Sequence, residues 1–241
     1  MRIVSRKKRL YQESKNHTTY YNKKGEIVPS VTTVLKTISK DNLIYWANNL
    51  GWKRKSVKRE LDDSSFVGTM AHLFIENILL DKEFESTLIK RDIMGEPDYI
   101  KEQIDNSVNS FKLWWDKNKD DFKIKSCEQE LVCDEYGGTL DIIAEYKGKP
   151  VILDIKTSKS FYFTMFLQLA AYAHMYKVKY GKMPKDVAIL RVDKTNGKEA
   201  ELLWLSDLPG GDIDFYYISY KRALDLFSNI HVLEQDWAEI K

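Results

Sequence analysis

The sequence predicts an α/β fold: a mixed central β-sheet flanked by helices on both faces, with an N-terminal helical elaboration. Three observations carry the prediction. Elements in the second half read strand, strand, strand, helix, strand, strand, an order that suits a mixed sheet covered on two sides. Across 241 residues, 43% are hydrophobic and 31% charged, enough for one sizeable core and too apolar for disorder. No 18-residue apolar run is present, so no transmembrane helix is expected. One domain over residues 1–241 is expected, with a basic helical part over 1–65 and the core plus C-terminal helices over 66–241.

The elements follow in order. Residues 20–28 read as a short hairpin centred on Lys24-Gly25, and helices are expected near 30–39, 41–51, 68–80 and 97–118. The last opens at Pro97, as the first helical position favours. Its Phe111, Trp114 and Trp115 are expected in the core. Strands are expected at 123–133, 138–146 and 151–157, a helix at 161–180, and strands at 187–192 and 200–205 joined by the turn-rich 193–197. A helix over 212–229 and a segment ending at Trp237 close the chain. There are no repeats and no low-complexity linker.

The chemistry concentrates in Gly138-Thr139-Leu140-Asp141 and, thirteen residues after Asp141, Asp154-Ile155-Lys156-Thr157. Asp154 and Lys156 are two apart, so on a strand they share one face, while Val151, Leu153 and Ile155 take the other. A hairpin through Lys147-Gly148-Lys149-Pro150, closed by a two- or four-residue loop, is expected to set Tyr146 opposite Val151 and Asp141 opposite Lys156. All three polar side chains then share a face. Partly burying such charges is costly unless they are paired or bind metal. A cluster of this kind can hold a hard divalent cation through its carboxylates and a water or phosphate through the ammonium. On the helix that follows, Gln168 and Tyr172 are four apart and lie one turn apart on one face. Upstream, Gly68 to Glu76 reads as a helix carrying His72 and Glu76 at the same spacing.

The series Gly68…His72, Gly138-x-x-Asp141, Asp154-x-Lys156, Gln168-x-x-x-Tyr172 resembles the PD-(D/E)XK nuclease superfamily, and most closely its RecB-like branch of phage exonucleases. The matching stretch runs from about Gly68 to Tyr176, nearly half the chain, and the opening Val28-Pro29-Ser30-Val31-Thr32-Thr33-Val34-Leu35 is similar to one found in phage members. The resemblance implies a restriction-endonuclease-like core. It implies His72, Asp141 and Asp154 as metal ligands joined by the carbonyl of Ile155, with Asp141, Asp154 and Lys156 catalytic. Lys156 is then expected to orient or deprotonate the attacking water, and Gln168 and Tyr172 to contact the strand near the scissile phosphate. Glu130 is a further acidic contact. One or two Mg²⁺ or Mn²⁺ ions are expected, the imidazole favouring Mn²⁺ slightly. Relatives that carry an iron–sulfur cluster use four cysteines; Cys127 and Cys133, at even parity on one strand, cannot ligate a cluster alone. No G-x-x-x-x-G-K-[S/T] phosphate loop occurs, so neither a nucleotide cofactor nor a fused helicase is expected.

Net charge is only +2, but its distribution is uneven. Residues 1–60 hold 15 Lys and Arg against 4 Asp and Glu, a balance of +11 that leaves −9 for the rest. Arg6-Lys7-Lys8-Arg9 and Lys53-Arg54-Lys55 are the densest clusters, and Trp46 and Trp52 flank the second. Basic clusters with aromatics suit a groove that tracks a nucleic-acid strand, so Lys53, Arg54 and Lys55 join the expected substrate contacts. The expected function is metal-dependent DNA exonuclease action at single- or double-stranded ends, releasing 5′-phosphorylated products in replication, recombination or repair. The alternatives are a structure-specific or single-strand endonuclease on the same site, and a binding module that has lost catalysis. A recombinase, a single-strand-binding protein or a helicase would be natural partners. No apolar stretch follows the N-terminal charges and only two cysteines occur, so a cytoplasmic setting is expected, that of the bacterial host for a phage protein.

Overall fold

The computed structural model describes residues 18–38, 41–82 and 93–239, with side chains at 41–42 and 231–239 excepted. A two-stranded hairpin opens it, β1 (Tyr20–Tyr21) and β2 (Ile27–Val28), turning at Gly25 with φ +79°. Ser30 caps the short α1 (Val31–Val34) by accepting from the Thr33 amide. Then follow α2 (Asp41–Trp52), α3 (Val57–Leu79), α4 (Asp98–Asn118), β3 (Phe122–Val132), β4 (Gly137–Tyr146), β5 (Lys149–Lys156), α5 (Phe163–Tyr180), β6 (Asp186–Arg191), β7 (Glu201–Trp204) and α6 (Ile213–Glu239).

Two helices are longer than their sequence pattern indicates. Helix α3 begins eleven residues before Gly68, because Ser56 accepts from the Arg59 amide and Glu60 sits in the positive first turn. The polar run from Lys58 to Ser65 masks the apolar periodicity there. Helix α6 continues unbroken to Glu239, where a separate C-terminal segment was expected. Pro97 stands one position earlier than expected, as the N-cap of α4.

The main sheet runs β3-β4-β5-β6-β7, with β5 and β6 parallel and every other pair antiparallel. It is a five-stranded mixed sheet flanked by helices. On one face, Ile143, Ile152, Val187 and Ile189 pack with α5 and α6; on the other, Ile142, Ala144, Leu153, Ile155 and Leu190 pack with Ile75 of α3 and Phe111 and Trp114 of α4. The two aromatics of α4 are thus core residues, with Trp115 packed against them. Strand β5 is central, and the crossover β5–α5–β6 places its carboxyl end at the mouth of the sheet, where α/β folds gather ligands.

The β4–β5 register differs from the expected one by two residues. Lys147 (φ +49°) and Gly148 (φ +78°) form a two-residue turn of the type that closes right-twisted hairpins, so Tyr146 pairs with Lys149. The last pair of the ladder is Ile142 with Leu153. Asp141 consequently lies level with Asp154, not Lys156.

Candidate metal centre

Where the β4–β5 ladder stops, the next backbone donor of β5 is taken by a side chain. The Ile155 amide donates to Asp141 Oδ2 at 2.7 Å. The Ile155 carbonyl faces His72 Nε2 at 3.0 Å. Nδ1 of the same ring lies 3.5 Å from Asp141 Oδ2 and 3.9 Å from Glu128 Oε1. Ligand atoms of His72, Glu128 and Asp141 all fall within 4.8 Å of one another.

A local break in both strands gathers these groups. Residues flanking Asp141 on β4 pack on opposite faces of the sheet, Leu140 with α5 and Ile142 with α4, so alternation reverses there. Strand β3 reverses at the same level, between Cys127 and Leu131, and Glu128 carries φ +48°. A non-glycine residue in that region is strained, and such strain collects at functional sites. The reversal also sends Cys127 and Cys133 to opposite faces, contrary to the shared face expected from their even spacing.

Electrostatics follow from crowding. Burial works against a charge on His72, but Asp141 and Glu128 outweigh it and the imidazole is pushed up to about 9. Burial raises the Asp141 carboxyl despite His72 and Lys156. Asp154, 1% exposed, is pushed up to about 6 by burial, with Lys156 opposing and Asp141 adding to the rise. Lys156 Nζ forms a close ion pair with the buried Asp154 Oδ2 at 2.6 Å. Burial opposes the Lys156 charge, yet Asp154 and Asp141 raise it above the ordinary lysine value.

Helix α5 supports this arrangement from the other face. Gln168 Nε2 donates to Asp154 Oδ1 at 3.2 Å and to Tyr172 OH at 2.9 Å. Tyr172 is buried, and burial beside Asp154 holds its phenol well above the ordinary value. Its ring crosses β4 at Gly138, where a Cβ would stand 2.5 Å from Tyr172 Cε1. Gly137 makes the same concession to the ring of Tyr20, whose hydroxyl shares a hydrogen bond of 2.9 Å with Thr139 Oγ1. The Pro29 carbonyl accepts from the Gly137 amide at 3.0 Å, so the Val28-Pro29-Ser30 stretch braces the start of β4.

His72, Asp141 and the Ile155 carbonyl are brought together; Asp154 stands alongside, turned to Lys156 and Gln168. Glu130 is exposed and pairs across the ladder with Thr139, and Glu128 occupies the acidic position beside His72. Its signal lay in the β3–β4 hairpin. Counting back from the Cys133–Tyr136 closure through Leu131↔Gly138 and Gln129↔Leu140 puts Glu128 level with Asp141. Lys53, Arg54 and Lys55 are exposed in the turn between α2 and α3, away from these contacts, with Lys55 paired to Glu60 at 2.9 Å. Arg6 to Arg9 lie outside the described residues.

The donors suit a hard cation. His72 Nε2 and the Ile155 carbonyl oxygen stand at hydrogen-bond distance, 3.0 Å, while the two carboxylates face the ring's other nitrogen, Nδ1. His72, Glu128 and Asp141 offer one nitrogen and two oxygen donors that could hold a metal ion.

No family model matches the chain, and no curated protein matches it. A crystal structure of SSO0001 is similar over 66% of this chain and 74% of that one, at 12% identity and a TM-score of 0.31. Among the described residues, no helix is long and apolar enough to cross a membrane.

Proposed function

We propose that the protein is a divalent-metal-dependent deoxyribonuclease, an exonuclease of the PD-(D/E)XK kind built on a restriction-endonuclease-like core, acting on DNA ends in the cytoplasm. One observation carries the reading: His72, Glu128 and Asp141 offer ligand atoms within 4.8 Å of one another, beside the Ile155 carbonyl, on the same strand end that carries the Asp154–Lys156 pair. When bound, Mg²⁺ or Mn²⁺ would supply an acidified water and a clamp on phosphoryl oxygens. The protein's own groups do the rest. His72 and Asp141, held by the carbonyl and the amide of Ile155, set the ligand geometry. Lys156 presents a compact ammonium to a scissile phosphate and its attacking water. Gln168 orients the Asp154 carboxylate against that lysine, and Tyr172 closes the site behind it.

Digestion of linear, end-blocked and circular DNA, each labelled at one terminus, tests the reading with Mg²⁺, Mn²⁺ or EDTA. Metal-dependent loss of linear substrate with circles and blocked ends spared is the expected result. Cutting of circles would replace the exonuclease with an endonuclease on the same site. No turnover on any DNA with either metal would refute the enzyme.

A further inference from the structure

A cleft of about 740 Å³ opens beside Lys156 and Gln168. Its wall carries Lys156, Lys159 and Lys194 and no carboxylate. Lys159 belongs to the β5–α5 connection, and Lys194 to the β6–β7 connection, both at the carboxyl ends of the two parallel strands. The second loop is fixed by Asp193, whose Oδ1 accepts from the amides of Thr195 at 2.9 Å and Asn196 at 3.2 Å. Lys194 Nζ donates to Ser64 Oγ of α3 at 2.7 Å. Neither Lys159 nor Lys194 has an ion-pair partner among the described residues. Burial and the nearby charge of Lys159 lower the Lys194 ammonium below its ordinary value. Among the described residues, Glu60 is the one carboxylate whose charge acts on Lys194, and it does not offset burial and Lys159, so two cations facing one cleft favour an anion from outside.

The same cleft is lined by Trp46 of α2 and by Tyr162 and Phe163 at the start of α5. Phe163 is 60% exposed and Tyr162 42%, so both rings present open faces to a ligand in the cleft. Resting on the nuclease reading for its position beside a scissile linkage, we propose that this cleft binds single-stranded nucleic acid. Lys159 and Lys194 hold a backbone phosphate, and Trp46, Tyr162 and Phe163 stack unpaired bases. Bases within a duplex already have both faces stacked, whereas aromatic rings beside a cationic groove fit a separated strand. A cleft of this size encloses one drug-sized ligand, on the order of two nucleotides of a separated strand. An incoming end would therefore be read as a single strand.

Fluorescence anisotropy tests this with the full chain in EDTA, using labelled oligothymidylate and a blunt duplex of equal length. Wild type is expected to prefer the single strand. Phe163→Ala should weaken that binding about tenfold, as expected for loss of one stacked base. Lys159→Gln with Lys194→Gln should lower the slope of log affinity against log salt by about 0.7 for each phosphate no longer neutralised. Thermal melting checks that each variant is folded. Equal binding of duplex, no binding of the single strand, or folded variants that bind as wild type does would each overturn the assignment. Mn²⁺-dependent cleavage of the same oligonucleotide separates the two readings. Cleavage by wild type with unaffected variant binding would remove the cleft and leave the nuclease. Cleft-dependent binding with no cleavage would keep the cleft and remove the nuclease.

Discussion

The amide of Ile155 donates to Oδ2 of Asp141 at 2.7 Å, in the place where a backbone carbonyl would have continued the β4–β5 ladder. The backbone of one residue therefore does two things. Its N–H aims the Asp141 carboxylate, and its carbonyl faces His72. Both side chains are thereby held by a rigid central strand, the kind of support a preorganised site needs.

If Lys156 meets the phosphate, Lys156→Ala should lower cleavage by about 10²–10³-fold, the usual cost of losing one charge-stabilising donor. Anisotropy measured in parallel should show DNA affinity largely kept. Full activity in this variant would remove its role.

Glu128 and Glu130 provide a paired contrast. Only Glu128 reaches the imidazole. Glu128→Gln should weaken Mn²⁺ binding by at least the 10–100-fold typical of a supporting group, while Glu130→Gln leaves it unchanged. Calorimetric titration of both variants checks this, and equal effects would show that the strained Glu128 backbone serves something else.

The metal-free protein should lose stability as pH rises. A histidine whose folded pKa of about 9 exceeds its unfolded value near 6.5 contributes stability that is complete below 6.5 and gone above 9. Asp154, raised to about 6, acts in the same direction at lower pH, its contribution present below the unfolded value and lost as pH passes 6. A cation must displace the His72 proton, so the gain in Tm on adding Mn²⁺ should grow from pH 6.5 to 9. A gain independent of pH would mean that the imidazole is not a ligand.

Gly138→Ala should destabilise the protein by about 1–3 kcal/mol, the usual cost of overpacking, because the new methyl would strike the buried ring of Tyr172. Urea denaturation measures the loss. Activity should fall as well, since Tyr172 takes a hydrogen bond from the amide that holds Asp154.

Replacing Lys53, Arg54 and Lys55 by alanine should reduce the salt dependence of DNA affinity, by about 0.9 in slope for each duplex phosphate left unneutralised. The exposed turn that carries them leaves the fold untouched. An unchanged slope would limit the nucleic-acid contacts to the cleft and metal centre.

Much of this was readable from residue order. The alternating strands, the helix of Gln168 and Tyr172 and the aspartates flanking Lys147-Gly148 were all visible as patterns. The hairpin register was not, because Lys147 occupies a left-handed position that glycine usually marks, and Pro150 sits inside the strand instead of ending the loop. Glu128 escaped for a related reason: strict alternation assigns it a face, and the reversal that turns it towards His72 leaves no trace in a glutamate. Lys194 lies in a loop far along the chain, and only the sheet order brings it near Lys159.

Titration of Mn²⁺ into the metal-free protein, wild type against Asp141→Ala, tests the central claim most directly. Saturable binding of at least one ion to wild type, with loss of that binding in the folded variant, is the result expected of a His72–Glu128–Asp141–Ile155 centre. Wild type that takes up no Mn²⁺, or a variant that binds it equally well, would contradict it.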